Sequence, residues 1–189
     1  ELGLVAMPMP REFGGLHVPA ALQFIVLSQL SRSCLGSATQ MAFFTSIAEM
    51  VHRYCDHATA ERIIPQIMNC DLSGSMNLTE PGCGSDLGMI KTSATPTDDG
   101  KFLLNGSKIF ITNGGGGVAF VLARIKGAPE GLEGISMFFV EQQIQNDKGE
   151  AKLNFRVAKN EEKMGMHASF TTEIVYENTV ATLIGKENE

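Results

Sequence analysis

The residues from Thr79 to Asp86, Thr-Glu-Pro-Gly-Cys-Gly-Ser-Asp, concentrate what chemistry this sequence offers. Pro81 and the glycines on either side of Cys83 force a tight turn poor in side chains, so backbone N–H groups can approach a ligand closely. Thr79 and Ser85 add hydroxyls suited to the ribityl, carbonyl and phosphate oxygens of a nucleotide cofactor. On spacing alone, an ordinary polar loop between a helix and a sheet is the commoner meaning of such a turn. Glu80 and Asp86 are explained more economically as turn and capping residues than as acid or base.

Other candidates carry less. The glycines at 114 to 117 lack the following Lys-Ser or Lys-Thr of a phosphate loop and open no helix, so they read as a flexible hairpin connection. Gly82-Cys83-Gly84 has no G-x-G-x-x-G continuation after a strand. His17, His52, His57 and His167 stand without partners at ligand spacing, and Cys34, Cys55, Cys70 and Cys83 form no C-x-x-C pair. No metal site is expected, and the thiols are expected to be reduced.

The elements that must hold the turn can be read from periodicity. Leu22, Val26 and Leu30 recur at helical spacing, Gly36-Ser37 breaks the pattern, and Met41, Phe44, Ala48 and Val51 define a second helix. Asp56 is placed to cap a third, carrying Ile63, Ile64, Ile67 and Met68, which Pro65 would restart or kink. From about Gly74 the period becomes alternating. Residues 91–95 read as a strand, Asp98-Asp99-Gly100 as a turn, and 101–104 as a strand entering an Asn105-Gly106 turn, with 107–112 pairing back. Residues 118–125, 135–140 and 173–176 are further strands. The expectation is an α+β chain, with helices over 1–73 followed by an antiparallel β-barrel or sandwich over 74–189.

Composition sets outer limits. With 189 residues, 43% hydrophobic and 19% charged, the chain has enough apolar content for a packed core. A net charge of −6 opposes a nucleic-acid-binding face, and no apolar run approaches the roughly 20 residues that span a bilayer. The chain opens on Glu1-Leu2-Gly3 without Met and closes on Lys186-Glu187-Asn188-Glu189, and is expected to be a piece of something longer.

Residues 76–86, Met-Asn-Leu-Thr-Glu-Pro-Gly-Cys-Gly-Ser-Asp, resemble the signature that opens the middle domain of acyl-CoA dehydrogenases, and 104–113, Leu-Asn-Gly-Ser-Lys-Ile-Phe-Ile-Thr-Asn, resemble a second signature. Residues 163–169 and Leu183-Ile184-Gly185 are weaker matches in the same order, while Pro10 to Gly15 and Ala60 to Pro65 fit the preceding helical domain. The resemblance implies the end of an N-terminal helical domain plus a flavin-binding middle β domain, with the C-terminal four-helix domain absent. It also implies FAD as cofactor. Met76, Leu78 and Thr79 would meet the flavin, Gly84 and Ser85 its pyrophosphate, and Phe110, Ile111 and Thr112 the isoalloxazine. Ser85 and Ser169 would contact acyl-CoA.

Phe110 stands where the family often has Trp, and Met76 where it often has an aromatic residue. Residues 141–162, with a turn at Asn146-Asp147-Lys148-Gly149, form an insertion resembling that of larger bacterial members. The implied reaction is α,β-dehydrogenation of an acyl-CoA in fatty-acid β-oxidation, with electron-transfer flavoprotein as acceptor. It would take place in a bacterial cytoplasm or a mitochondrial matrix, within a homodimer or homotetramer. The family's base is a Glu beyond Glu189, so no catalytic residue is expected here and the chain alone is expected to be inactive. An oxidase or monooxygenase of the same fold, or a non-redox acyl-CoA-binding scaffold, are the alternatives.

Overall fold

The computed structural model describes residues 3–145 and 149–188. The chain forms two compact units: 1–74 with 162–170, and 75–161 with 171–189. Segment 162–170, expected within the β domain, thus groups with the helices.

In the helical unit, Pro19 precedes α1, Ala20–Ser33. The chain breaks at Cys34, whose backbone is extended, before α2, Leu35–Tyr54, begins. The break therefore falls two residues before the expected Gly36-Ser37. Gly36 lies inside α2, at a position where a Cβ would come within 3.0 Å of the Ala168 Cβ and 3.1 Å of the Ser169 nitrogen, so its small size serves packing there. The Asp56 carboxylate accepts the Thr59 N–H at 2.8 Å and caps α3, His57–Met68, which runs through Pro65 without restarting. Ile47, Ala48, Val51, Ile63, Ile64 and Ile67 are buried, whereas Met41 and Phe44 of the expected α2 stripe are only half-buried. Helix α1 buries no residue fully, and Leu22, Phe24 and Ile25 are exposed.

The second unit begins within β1, Ser73–Asn77, and continues through β2, Ser93–Pro96; β3, Phe102–Thr112; β4, Gly117–Ile125; β5, Ile135–Glu141; β6, Gln143–Gln145; β7, Ala151–Leu153; β8, Arg156–Asn160; and β9, Thr171–Ile184. The pairings close on themselves in the order β4, β2, β3, β9, β5 and back to β4, with β1 on β4 and β8 on β9. Closure removes sheet edges that would otherwise be left unpaired. β2 with β3, β3 with β9, β4 with β5, β5 with β9 and β8 with β9 are antiparallel, whereas β2 and β4 run parallel through Ser93↔Arg124 and Ala94↔Ile125. Ala119, Val121, Ala123 and Ile125 alternate inward on β4 and meet Phe102, Leu104, Ile111, Phe138, Ile174 and Tyr176. The Phe102 and Phe138 rings pack edge-on, with centroids 5.1 Å apart.

Two expected turns are something else. Asn105-Gly106 is not a hairpin tip: β3 runs straight through it, with a bulge against β9 between Leu104 and Gly106. The β2–β3 hairpin instead turns at 97–100, where the Gly100 N–H reaches the Thr97 carbonyl at 3.1 Å and Gly100 has φ +77°. Asn105 uses its side chain to bind Asn178 on β9. The glycines at 114–117 join β3 to β4, which are not neighbours, since β2 lies between them. In the insertion, β6 and β7 pair through Gln143↔Leu153, and Asn146, Asp147 and Lys148 of the expected turn lie outside the described residues. Buried Asn154 anchors the insertion, donating to the Glu141 and Val180 carbonyls at 2.9 Å each and accepting the Val180 N–H at 2.8 Å.

Gly106 has φ +151°, and a Cβ there would sit 2.5 Å from Thr92 Oγ1 and 2.8 Å from its Cα. Gly106→Ala should destabilise the β unit by about 1–3 kcal/mol in urea unfolding followed by circular dichroism. An unchanged midpoint would show that the bulge does not require glycine.

Candidate functional site

In the β unit, the end of β1 leads into the Thr79–Asp86 turn, and the end of β3 runs beside it. The Ile109 N–H donates to the Thr79 carbonyl at 2.9 Å, joining the two segments through backbone. The turn closes on itself, with Glu80 N–H to the Cys83 carbonyl at 2.9 Å and Cys83 N–H to the Glu80 carbonyl at 3.1 Å. The glycines leave its outer surface bare: a Cβ on Gly82 would meet nothing within 4 Å, and one on Gly84 only Thr79 Cγ2, at 3.7 Å. Among the described residues nothing crowds these two positions, which leaves room for a group lying directly against the backbone.

Beneath the turn lies an interaction that sequence reasoning missed. The Lys108 ammonium, fully buried, donates to Glu80 Oε1 and to the Leu78 carbonyl, both at 2.9 Å. The Glu80 carboxylate, 6% exposed, also accepts the Lys91 N–H at 2.7 Å and the Thr92 N–H at 3.0 Å. Burial pushes the Glu80 carboxyl up, but the donors from Lys108, Thr92 and Lys91 outweigh it and hold the group below its ordinary range. Burial pulls the Lys108 ammonium down from its ordinary value, against the opposing pull of Glu80. Spacing within either segment alone could not show this pair, since its members lie 28 residues apart.

Lys108 and Ile111 both point inward, Lys108 in register with Ile174 and Ile111 with Thr172. Residues three apart on a regular strand face opposite ways, so a bulge intervenes between them. It throws Phe110 outward, 62% exposed and with φ +57°. A left-handed conformation is costly for a bulky residue and persists where the surroundings over-determine it. Thr112 is half-buried, and Ser85 is exposed at the end of the turn. Ile111 differs from the expected apolar wall: its side chain is 2% exposed and belongs to the barrel core, so only its backbone is available to a ligand. Met76 and Leu78 are half-buried near the end of β1. Next to Met76, Asn77 Nδ2 donates to the Tyr176 hydroxyl at 2.5 Å, and complete burial pushes that phenol up so that it stays protonated.

Ser169 belongs to the other unit. It is 1% exposed, and its hydroxyl accepts from Gln40 Nε2 at 3.1 Å. The Lys163 ammonium donates to the Met166 and Ser169 carbonyls and so shapes this loop, while His167 is exposed with Nε2 2.9 Å from the Lys163 carbonyl. Asp86 accepts the Gly88 N–H at 3.1 Å, the capping role expected of it. No helix among the described residues is long and apolar enough to cross a membrane.

Lys108→Met leaves a carboxylate buried without its counter-charge and should cost about 3–5 kcal/mol by urea unfolding, with part recovered in Lys108→Met/Glu80→Gln. The folded carboxyl lies below its unfolded value, so its contribution is complete above the ordinary value of 4.5 and is lost as pH falls through the folded value. Glu80→Gln should therefore lose less stability than wild type on acidification. Equal acid slopes would show that Glu80 is not a linked group.

Residues 75–179 match the family model of the acyl-CoA dehydrogenase middle domain, and residues 1–71 that of the N-terminal domain. An acyl-CoA dehydrogenase of Bacillus subtilis (strain 168) is 34% identical over 99% of this chain and 48% of its own length. The structure of butyryl-CoA dehydrogenase from Megasphaera elsdenii matches with a TM-score of 0.85 at 29% identity, over 99% of this chain and 49% of that one. An acyl-CoA dehydrogenase from Bacillus anthracis, complexed with FAD, matches with a TM-score of 0.82 at 26% identity, over 100% of this chain and 31% of that one. The chain thus spans about half the length of the Bacillus subtilis relative. With both domain models matched in order across helical and β units, the chain belongs to the acyl-CoA dehydrogenase family.

Proposed function

We propose that this chain supplies the flavin-facing wall of an FAD-dependent acyl-CoA dehydrogenase that converts an acyl-CoA thioester to its trans-2-enoyl form. The observation that carries the reading is the join between the Thr79–Asp86 turn and the Phe110 bulge, made by the Ile109–Thr79 hydrogen bond above the Glu80–Lys108 pair. The residues suit the group. Gly82 and Gly84 leave backbone open to a phosphate, the structure gives the Ser85 and Thr112 hydroxyls no partner among the described residues, and Phe110 offers a ring face to solvent. Bound FAD would accept hydride at N5.

The chain's own residues would do the positioning. Met76, Leu78 and Thr79 would hold the flavin's pyrimidine edge, Gly84 and Ser85 the pyrophosphate, and Phe110 would shield the ring. The Ile111 backbone and the Thr112 hydroxyl would be available to hydrogen-bond the ring. Ser85 would also meet acyl-CoA, while Ser169 would act by shaping the 163–169 loop. An electron-transfer flavoprotein is the proposed acceptor.

The proposal assigns no base to these residues. Glu80 accepts three hydrogen bonds in a site closed to water, and Asp86 is engaged as a cap, so neither is free to take an α-proton. The 189-residue chain should accordingly bind FAD yet give no sustained dye reduction with a panel of acyl-CoAs. Phe110→Ala and Thr112→Val should each weaken FAD binding by about three- to tenfold in a fluorescence titration. A wild-type chain that stays colourless with excess FAD would favour the scaffold reading, and sustained turnover would overturn the absence of a base.

A further inference from the structure

The turn that carries Ser85 is fastened a second time, from a residue that neither signature contains. Arg124 lies on β4 between the inward-facing Ala123 and Ile125, so alternation turns its side chain to the outside of the barrel. There its guanidinium meets three backbone carbonyls. Nη2 donates to Gly88 at 3.0 Å and to Gly131 at 2.9 Å, and Nη1 donates to Pro129. Gly88 is the third residue after Ser85, and its N–H is already capped by Asp86 at 3.1 Å. Both polar groups of Gly88 are therefore fixed, the N–H from within the turn and the carbonyl from the barrel wall.

The packing allows little slack. A Cβ on Gly88 would lie 3.2 Å from Asp86 Oδ1 and 3.4 Å from the Gly131 Cα, and a Cβ on Gly134 would overlap the Pro129 carbonyl and the Arg124 guanidinium. A planar fork with five donors can hold three carbonyls at once, whereas a lysine presents a single point charge. Three of the fork's donors are spent on carbonyls, which makes Arg124 a fastening for the loop rather than a ligand contact.

We propose that Arg124 is a positioning residue for the pyrophosphate end of the cofactor site: by holding Gly88 against the 129–131 turn it fixes Gly84 and Ser85 for an incoming diphosphate. The role rests on the flavin reading above, and it is specific to one end of that site. The isoalloxazine end, from Leu78 to Thr79 and Phe110 to Thr112, is held independently by the Glu80–Lys108 pair.

The test compares FAD with riboflavin, which lacks the diphosphate, in fluorescence titrations of the wild-type chain, Arg124→Gln and Arg124→Lys, with thermal melts by circular dichroism alongside. Arg124→Gln should weaken FAD binding roughly tenfold and leave riboflavin within about twofold. Arg124→Lys should fall between them, and it decides the matter if the glutamine variant does not fold. A wild-type chain that binds FAD, with variants that bind it equally well, overturns the positioning role alone. Equal weakening of FAD and riboflavin overturns it as well, because it reports a general loosening. A wild-type chain that binds neither flavin overturns the flavin reading, and the role falls with it.

Discussion

A carboxylate and an ammonium almost without access to water decide where the rest of this β unit can go. Glu80 takes hydrogen bonds from Lys91 and Thr92 at the approach to β2 and from Lys108 on β3, while Lys108 also holds the carbonyl of Leu78. Three separate stretches of chain thus converge on one acid–base pair. Removing both charges from water is expensive, and the cost is offset only when the donors and acceptors are well matched, as they are around this carboxylate. The pair therefore acts chiefly as a register pin.

The bulge at Phe110 follows from that pin. Lys108 must point inward to reach Glu80, and Ile111 must point inward to fill the barrel. Simple alternation cannot satisfy both, so the extra residue is expelled to the surface in a left-handed conformation. The exposed ring is the by-product of two inward demands three residues apart, and it emerges beside the turn that carries Thr79. Structural necessity and the surface proposed to face the flavin thus coincide at one position.

Much of this was legible in the sequence, and the failures share a cause. The Asp56 cap, the alternation of β4 and the Asp98-Asp99-Gly100 turn depend on neighbours within a few residues, and local pattern suffices to find them. Asn105-Gly106 misled because its local preference for a turn is overridden by pairing with β9, which passes through it as a bulge. The inward Ile111, the Glu80–Lys108 pair and the Arg124 fork depend on segments far apart in sequence, and hydrophobic periodicity carries no information about them. The family signatures pointed to the turn and to the end of β3 but did not show that these segments are held from behind.

Strand β9 follows all the other strands of the β unit in sequence, yet it pairs with β3, β5 and β8. During synthesis the Thr79–Asp86 turn and the Phe110 bulge would emerge before the strand that completes their support. Until β9 arrives, β3 has β2 as its neighbour but lacks its other partner, and the inward side chains of both strands remain open to water. Non-local pairing of this kind is slow, because the loop entropy is lost before the contacts reward it. The Phe110 bulge, though encoded before β9, is among the last features of the unit to become rigid, and a nascent chain would have to be protected from self-association until Ile184 had cleared the ribosome.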